Sequence, residues 1–194
     1  MDQFPYQELY DKLRRHGYHD AEDASSHLAP YIGWLKSRLQ YGSVLDIGCS
    51  SGGSLPLLGS EGVATVGVDV SMEAVAKASN LGRDVRHASA TALPFEDASF
   101  DLVVSADVFE HLHEDDAQAA AHEAVRVARR HIFMKIASQE DVTQRWKDLA
   151  GHPLHLTTKP IEWWMKFFSP FGKFIRHEQH VFCLEKTDVT AERE

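Results

Sequence analysis

A chain of 194 residues is sized for one domain with its own core, and its two cysteines, Cys49 and Cys183, offer no disulfide framework. The formal net charge of −9 opposes docking on a long phosphate backbone, so nucleic acid is not an expected partner. The short basic stretches RVARRH (126–131) and GKFIRH (172–177) read as solvated edges, no apolar run has the length of a membrane span, and the opening MDQFPYQELYDKLRRHGYHD is too polar for a secretory leader. The expectation is a cytoplasmic protein without a membrane partner.

In chain order, Leu9 and Leu13, then Leu28, Tyr31, Ile32, Leu35 and Leu39, recur at helical spacing, with Pro30 suited to the first turn of the second helix. The segment between them, HGYHDAEDASSH, reads as a loop. SVLDIG is a short apolar run ending at glycine and reads as a buried strand, followed by a short helix in GGSLPLLGS. ATVGVDV is a second strand, and Ser71 caps a helix over SMEAVAKASN. DVRHA is a weak third strand and FDLVVSAD a strong fourth. DDAQAAAHEAVRVARR has acids in its first turn and arginines in its last, as a helix dipole favours. HIFMKIA is a fifth strand. KPIEWWMKFFSPFG reads as a helix stopped by Pro170 and Gly172, with one of Trp163 and Trp164 in the core and Met165, Phe167 and Phe168 against the sheet. KFIRHEQHVFCLEK holds two last strands, with His177 and His180 in them, and the closing residues form a polar tail.

Strands alternating with helices predict a doubly wound, mostly parallel, Rossmann-like α/β sheet with helices on both faces. In such sheets ligands sit beyond the carboxyl ends of the strands, here Asp46–Gly48, Asp69, Ala88–Ser89 and Ser105–Asp107. Glycines after the first strand, in VLDIGCSSGG, let the backbone approach a ligand closely. Asp69, about twenty residues further on at the end of VGVDVS, is placed to accept from both hydroxyls of a ribose.

The segments VLDIGCSSGG, VGVDVS, ASATALPFEDASFDLVVSADVFEHL and HIFMKIA resemble the class I S-adenosylmethionine (SAM)-dependent methyltransferases, in the small-molecule, type 11-like branch. The resemblance is strong over residues 40–140. It implies a seven-stranded sheet in a single methyltransferase domain over 1–194, with a helical N-terminal cap or lid at 1–40, a core at 41–187 and a polar tail at 188–194. It also implies SAM as cofactor and S-adenosylhomocysteine (SAH) as product. Asp46 and the Gly48 loop, with Cys49 packed beside it, would hold the methionine part, and Gly52 would give close approach. Asp69 would bind the ribose, Val70 or Met72 would pack on the adenine, and Ala90 and Thr91 would lie near its edge. Ser105 and Asp107 would form the floor under the sulfonium. Two positions depart from the family pattern. Ser50 replaces a common glycine, which is tolerable if its backbone angle is ordinary. Ser89 replaces a common aspartate, and would accept through its hydroxyl.

Methyl transfer asks mainly for alignment, and a base helps when the acceptor is a hydroxyl. His111 is the candidate, with an ordinary pKa near neutrality. Tyr18 and His19, in an N-terminal loop that often lids the acceptor pocket in this family, are candidates to touch the substrate, as is His155. A divalent metal is a lesser possibility. Asp107, Glu110 and His111 follow a D-x-x-E-H spacing that would share a helical face, and His152 or His155 would complete the set. This resembles some methyltransferases acting on vicinal hydroxyls. The expected activity is transfer of a methyl group to a small-molecule acceptor at oxygen, since SADVFEHL replaces the motif of amino-group methylation on bases. A non-catalytic scaffold is the alternative that Ser50 and Ser89 permit. A nicotinamide-dependent oxidoreductase is disfavoured, because GCSSGG lacks the G-x-G-x-x-G spacing. The acceptor's identity and the oligomeric state are not legible.

Overall fold

The computed structural model describes residues 4–19 and 27–187; part of the N-terminal loop and the tail at 188–194 lie outside the described residues. Seven strands form one sheet: β1 (Ser43–Ile47), β2 (Ala64–Asp69), β3 (Val85–His87), β4 (Phe100–Ala106), β5 (Ala128–Lys135), β6 (Gly172–Glu178) and β7 (Val181–Lys186). Their spatial order is β3-β2-β1-β4-β5-β7-β6. The first five are parallel, while β7 runs antiparallel between β5 and β6. Order reverses at β1, between β2 and β4, and a crevice opens beyond the carboxyl ends at such a switch point.

The central strands are buried on both faces. Val44, Leu45 and Ile47 of β1 and Leu102 to Val104 of β4 have no exposed surface. One face packs on α5 (Glu114–Val127) through Ala117, Ala120, Ala121 and Ala124, whose small side chains let the helix lie close to the strands. The other face packs on α2 (Ile32–Arg38) and α3 (Leu55–Leu58) through Leu35 and Leu58. The helix α4 (Met72–Asn80) is capped by Ser71, whose hydroxyl accepts from Ala74 N–H.

Several sequence expectations need correcting. The helix over 115–130 stops at Val127 and the chain enters β5 directly at Ala128, so Arg129 and Arg130 are strand residues rather than a basic last turn. The helix α6 (Gln144–Ala150) was not expected; it buries no residue, so no apolar stripe announced it. His177 lies in β6, but His180 lies in the turn before β7. In α7 (Ile161–Phe168), Trp164 is the core tryptophan, and Trp163 is half-buried and stacks on Phe167 with centroids 5.7 Å apart.

The helix α1 (Tyr6–Arg15) crosses the carboxyl ends of the strands. It is anchored by caps it supplies to two other helices. The Asp11 carboxylate accepts from the Ser71 hydroxyl at 2.6 Å and from Glu73 N–H at 3.1 Å, at the amino end of α4. The Tyr6 hydroxyl accepts from His113 N–H at 2.9 Å and donates to Asp116 at 2.7 Å, at the amino end of α5. Both fill donor positions that a helix leaves unsatisfied at its start.

Candidate active site

A cleft opens over the switch point. Its floor is the loop after β1, with Asp46, Gly48, Cys49 and Ser50 on its wall. Gly48 and Gly52 have φ of 72° and 76°, and a Cβ on Gly48 would run into the Val108 side chain. Ser50 also stands in the left-handed region, at φ 57°, so the ordinary angle under which a serine is readily tolerated is not met. Such a conformation costs an L-residue about 1–2 kcal/mol. Its neighbours hold it: Ser50 N–H donates to Asp69 at 2.8 Å, and Arg14 of α1 donates to its hydroxyl.

Asp69 closes β2 inside the cleft. One oxygen takes the Ser50 amide and the other takes the Ser71 amide at 2.9 Å. Asp46 lies deeper, 3% exposed, with the Ser54 hydroxyl donating to it. Burial pushes its carboxyl up to about 7, against the Ser54 bond and with the help of the Asp69 charge. Cys49 turns its sulfur toward Gly67, where a Cβ would collide with it, and packs with Leu55, Ala78 and Val85. Burial raises its thiol well above the ordinary value, so it is a packing group rather than a nucleophile.

Val70, Ala88, Ser89 and Ala90 form the wall beyond β2 and β3. The Ser89 hydroxyl is already engaged, accepting from Thr91 N–H at 3.2 Å and paired with the Thr91 hydroxyl at 2.8 Å. Four expected contact residues stand off the cleft. Gly52 and Thr91 lie behind its wall, and Met72 is 48% exposed on α4. Ser105 is buried with its hydroxyl donating to the Ile47 carbonyl at 3.0 Å, so Ala106 lines the floor in its place.

Asp107 does line the cleft, at φ 54°. Its carboxylate is bonded to Lys135 and His27. Burial opposes ionisation, but those two partners outweigh it and hold the carboxyl below the ordinary range. It therefore does not share a helical face with Glu110 and His111. Phe109–His111 is a 3-10 turn, and the cluster that forms is Glu110, His111 and His155, whose ligand atoms lie within 4.8 Å of one another. His152 instead packs edge-on against Phe4.

His111 lines the cleft, but its expected near-neutral pKa does not hold. Burial, reinforced by His155, lowers it to about 4. Its Nδ1 faces the Leu154 carbonyl at 3.1 Å, so Nδ1 carries the proton and Nε2 the lone pair. Tyr18 and His19 line the cleft; His155 stands behind His111, edge-on at 4.8 Å. Sequence reasoning missed Tyr6, Tyr10 and Arg14, which line the roof. Their spacing of four along α1 was the available signal, since it sets one helical face.

Residues 45–132 match the family profile described as "Methyltransferase domain". Residues 45–132 thus carry a methyltransferase domain, and the chain shares the fold of solved SAM-dependent methyltransferases. The matched segment runs from Leu45 within β1 to Ile132 within β5 and contains both strand-end acids, Asp46 and Asp69. A tRNA (carboxymethyluridine(34)-5-O)-methyltransferase of Arabidopsis thaliana is 30% identical over 169 residues, 83% of this chain, and the chain spans 40% of that protein's length. The PH0226 protein of Pyrococcus horikoshii OT3 superposes with a TM-score of 0.71 at 17% identity, covering 91% of this chain and 99% of that one. Magnesium protoporphyrin IX methyltransferase of Synechocystis PCC 6803, crystallised with SAH, superposes at 0.65 and 18% identity, covering 92% and 94%. Among the described residues no helix is long and apolar enough to cross a membrane.

Proposed function

We propose that this chain transfers a methyl group from SAM to an oxygen of a small-molecule acceptor. The observation that carries the reading is the Asp69 carboxylate inside the cleft, fixed by the Ser50 and Ser71 amides, where an acid serves the two hydroxyls of a ribose. The left-handed loop 48–52 beside it bares backbone to a ligand, as the methionine part of SAM requires. SAM supplies an electrophilic methyl group on a positively charged sulfur. The chain's residues bind, orient and exclude water. Asp46 and the Gly48 loop face the methionine part, Asp69 the ribose, and Val70, Ser89 and Ala90 the adenine. Asp107, fixed by Lys135 and His27, sits at the floor.

The acceptor side is bounded by Tyr10, Tyr18, His19, His111 and Leu112, a largely aromatic recess beside α1. The aromatic lining suits a small acceptor, and the net charge of −9 weighs against a long polyanion. Alignment of an acceptor oxygen with the methyl carbon supplies up to about 7–11 kcal/mol. His111 is too weakly basic to be the main proton acceptor for a hydroxyl, so we assign it an orienting role.

The test is calorimetric titration with SAM and SAH. The intact chain binds both in the micromolar range, and Asp69→Ala loses at least about a hundredfold, as two charge-assisted hydrogen bonds of about 1.5–3 kcal/mol each imply. No binding by the intact chain moves the reading to a non-catalytic scaffold. A tRNA acceptor is a second reading, favoured by the name of the Arabidopsis relative. Transfer of labelled methyl to bulk tRNA, set against a small-metabolite extract, decides between them.

A further inference from the structure

At the acceptor end of the cleft the turn Phe109–His111 is stitched to the loop before α7. Leu156 and Thr157 both donate their N–H to the Glu110 carbonyl, at 2.7 and 3.0 Å, and the Thr157 hydroxyl donates to the Leu112 carbonyl at 2.7 Å. This stitching brings a carboxylate oxygen of Glu110 and one ring nitrogen each of His111 and His155 within 4.8 Å of one another.

Both imidazoles already use Nδ1. That of His111 faces the Leu154 carbonyl at 3.1 Å, and that of His155 faces the Gln139 carbonyl at 2.5 Å. A nitrogen facing a carbonyl carries a proton, so in the neutral ring Nε2 is the lone-pair nitrogen. A backbone carbonyl fixes the tautomer and aim of metal-ligating histidines in this way. Glu110 has no exposed surface. Its Oε1 accepts from Ala137 N–H at 2.8 Å, while its Oε2 has no partner among the described residues. Two imidazoles and a carboxylate with an orphaned buried oxygen thus meet in one cluster.

We propose that Glu110, His111 and His155 form a site for a divalent transition metal ion, with zinc the best fit. Two imidazoles and one carboxylate match zinc's ligand preference and leave a fourth position open. Metal–ligand bonds of about 2.0–2.2 Å place tetrahedral ligand atoms about 3.3 Å apart, so side-chain rotation within the cluster completes the site. Magnesium prefers an octahedron of oxygens and fits poorly. Asp107 is not a ligand, because Lys135 and His27 hold its carboxylate. His111 lines the cleft, so the open position is the place for an acceptor oxygen; that role rests on the methyltransferase reading, whereas zinc binding does not.

The metal-stripped full chain is titrated with zinc chloride alone, and cobalt(II) is substituted to read the ligands by absorption. The expected result is one zinc per chain, with affinity lowered at least about tenfold in His155→Ala and in Glu110→Gln. The cobalt spectrum shows nitrogen and oxygen ligation without a thiolate charge-transfer band, which separates this site from Cys49 and Cys183. Metal-free circular dichroism checks that each variant folds; His155 sits on a partly exposed loop, so its variant carries the test if buried Glu110→Gln does not fold. Lack of saturable zinc binding by the intact chain, unchanged binding in folded His155→Ala, or a thiolate spectrum overturns the site. SAM binding is titrated on the same sample. SAM bound without zinc overturns the metal site alone, and zinc bound without SAM supports it while overturning the methyltransferase reading.

Discussion

Replacing Asp46 by asparagine tests the electrostatics at the heart of the cleft. Its carboxyl stands at about 7 in the folded chain, against 3.8 for an unperturbed aspartate, because burial and the nearby Asp69 charge oppose ionisation. The folded chain therefore keeps a proton that the unfolded chain releases. Asp46 favours the folded state most below pH 3.8, and that preference is lost as pH rises toward 7. At about 1.4 kcal/mol per pH unit, roughly 4 kcal/mol is lost across this window. The asparagine cannot ionise, yet it still offers an oxygen to the Ser54 hydroxyl. Asp46→Asn should match the wild type at pH 4 and exceed it by roughly 4 kcal/mol at pH 8, or about 8–16 °C in Tm. Calorimetric melts of both proteins from pH 4 to 8 make the comparison, and the difference between them cancels every other titrating group. SAM affinity should fall in the same variant, because the ionised acid is what faces the cationic methionine part. Melting curves that run parallel at all pH values would refute the reasoning.

Other perturbations are simpler. Asp11→Ala strips two donors at the amino end of α4 of their acceptor, and should cost about 2–3 kcal/mol and about 5–10 °C in Tm by calorimetry, with weaker SAM binding because α1 loosens. Lys135→Met leaves Asp107 with His27 alone. The Asp107 carboxyl should rise from its lowered position, and the stability that the wild type keeps above pH 3.8 and loses in acid should begin to fail at higher pH, as carbon-13 NMR of the carboxyl and acid melts would read. Arg126→Ala removes donors to the Leu93 and Phe95 carbonyls and a pair with Glu123, and should cost about 1–2 kcal/mol in urea unfolding, with faster amide exchange across 93–97.

Strands β1 and β4 were legible because they are mostly buried and read as short, largely apolar runs, and β2 because its buried end, Gly67 and Val68, precedes Asp69. The acids at their carboxyl ends were legible for the same reason, since a doubly wound sheet puts ligands there. What escaped was set by distant contacts. The low basicity of His111 comes from its burial and from His155, more than 40 residues away, which together outweigh the Leu154 carbonyl, and burial of that kind has no local signature. Asp107 looked available to a metal by its spacing, until Lys135 and His27 claimed it from the far end of β5 and from the N-terminal segment. The left-handed angle of Ser50 is likewise imposed from outside, by Asp69 and by Arg14. The helix α6 was invisible because it has no buried face to repeat.

The caps that α1 lends to α4 and α5 tie ligand escape to local melting. Tyr6, Tyr10 and Arg14 roof the same cleft whose neighbouring helix starts depend on Tyr6 and Asp11. Any lifting of α1 from the cleft would therefore uncap both helix starts at once, so opening the roof and fraying two helix ends would share one barrier.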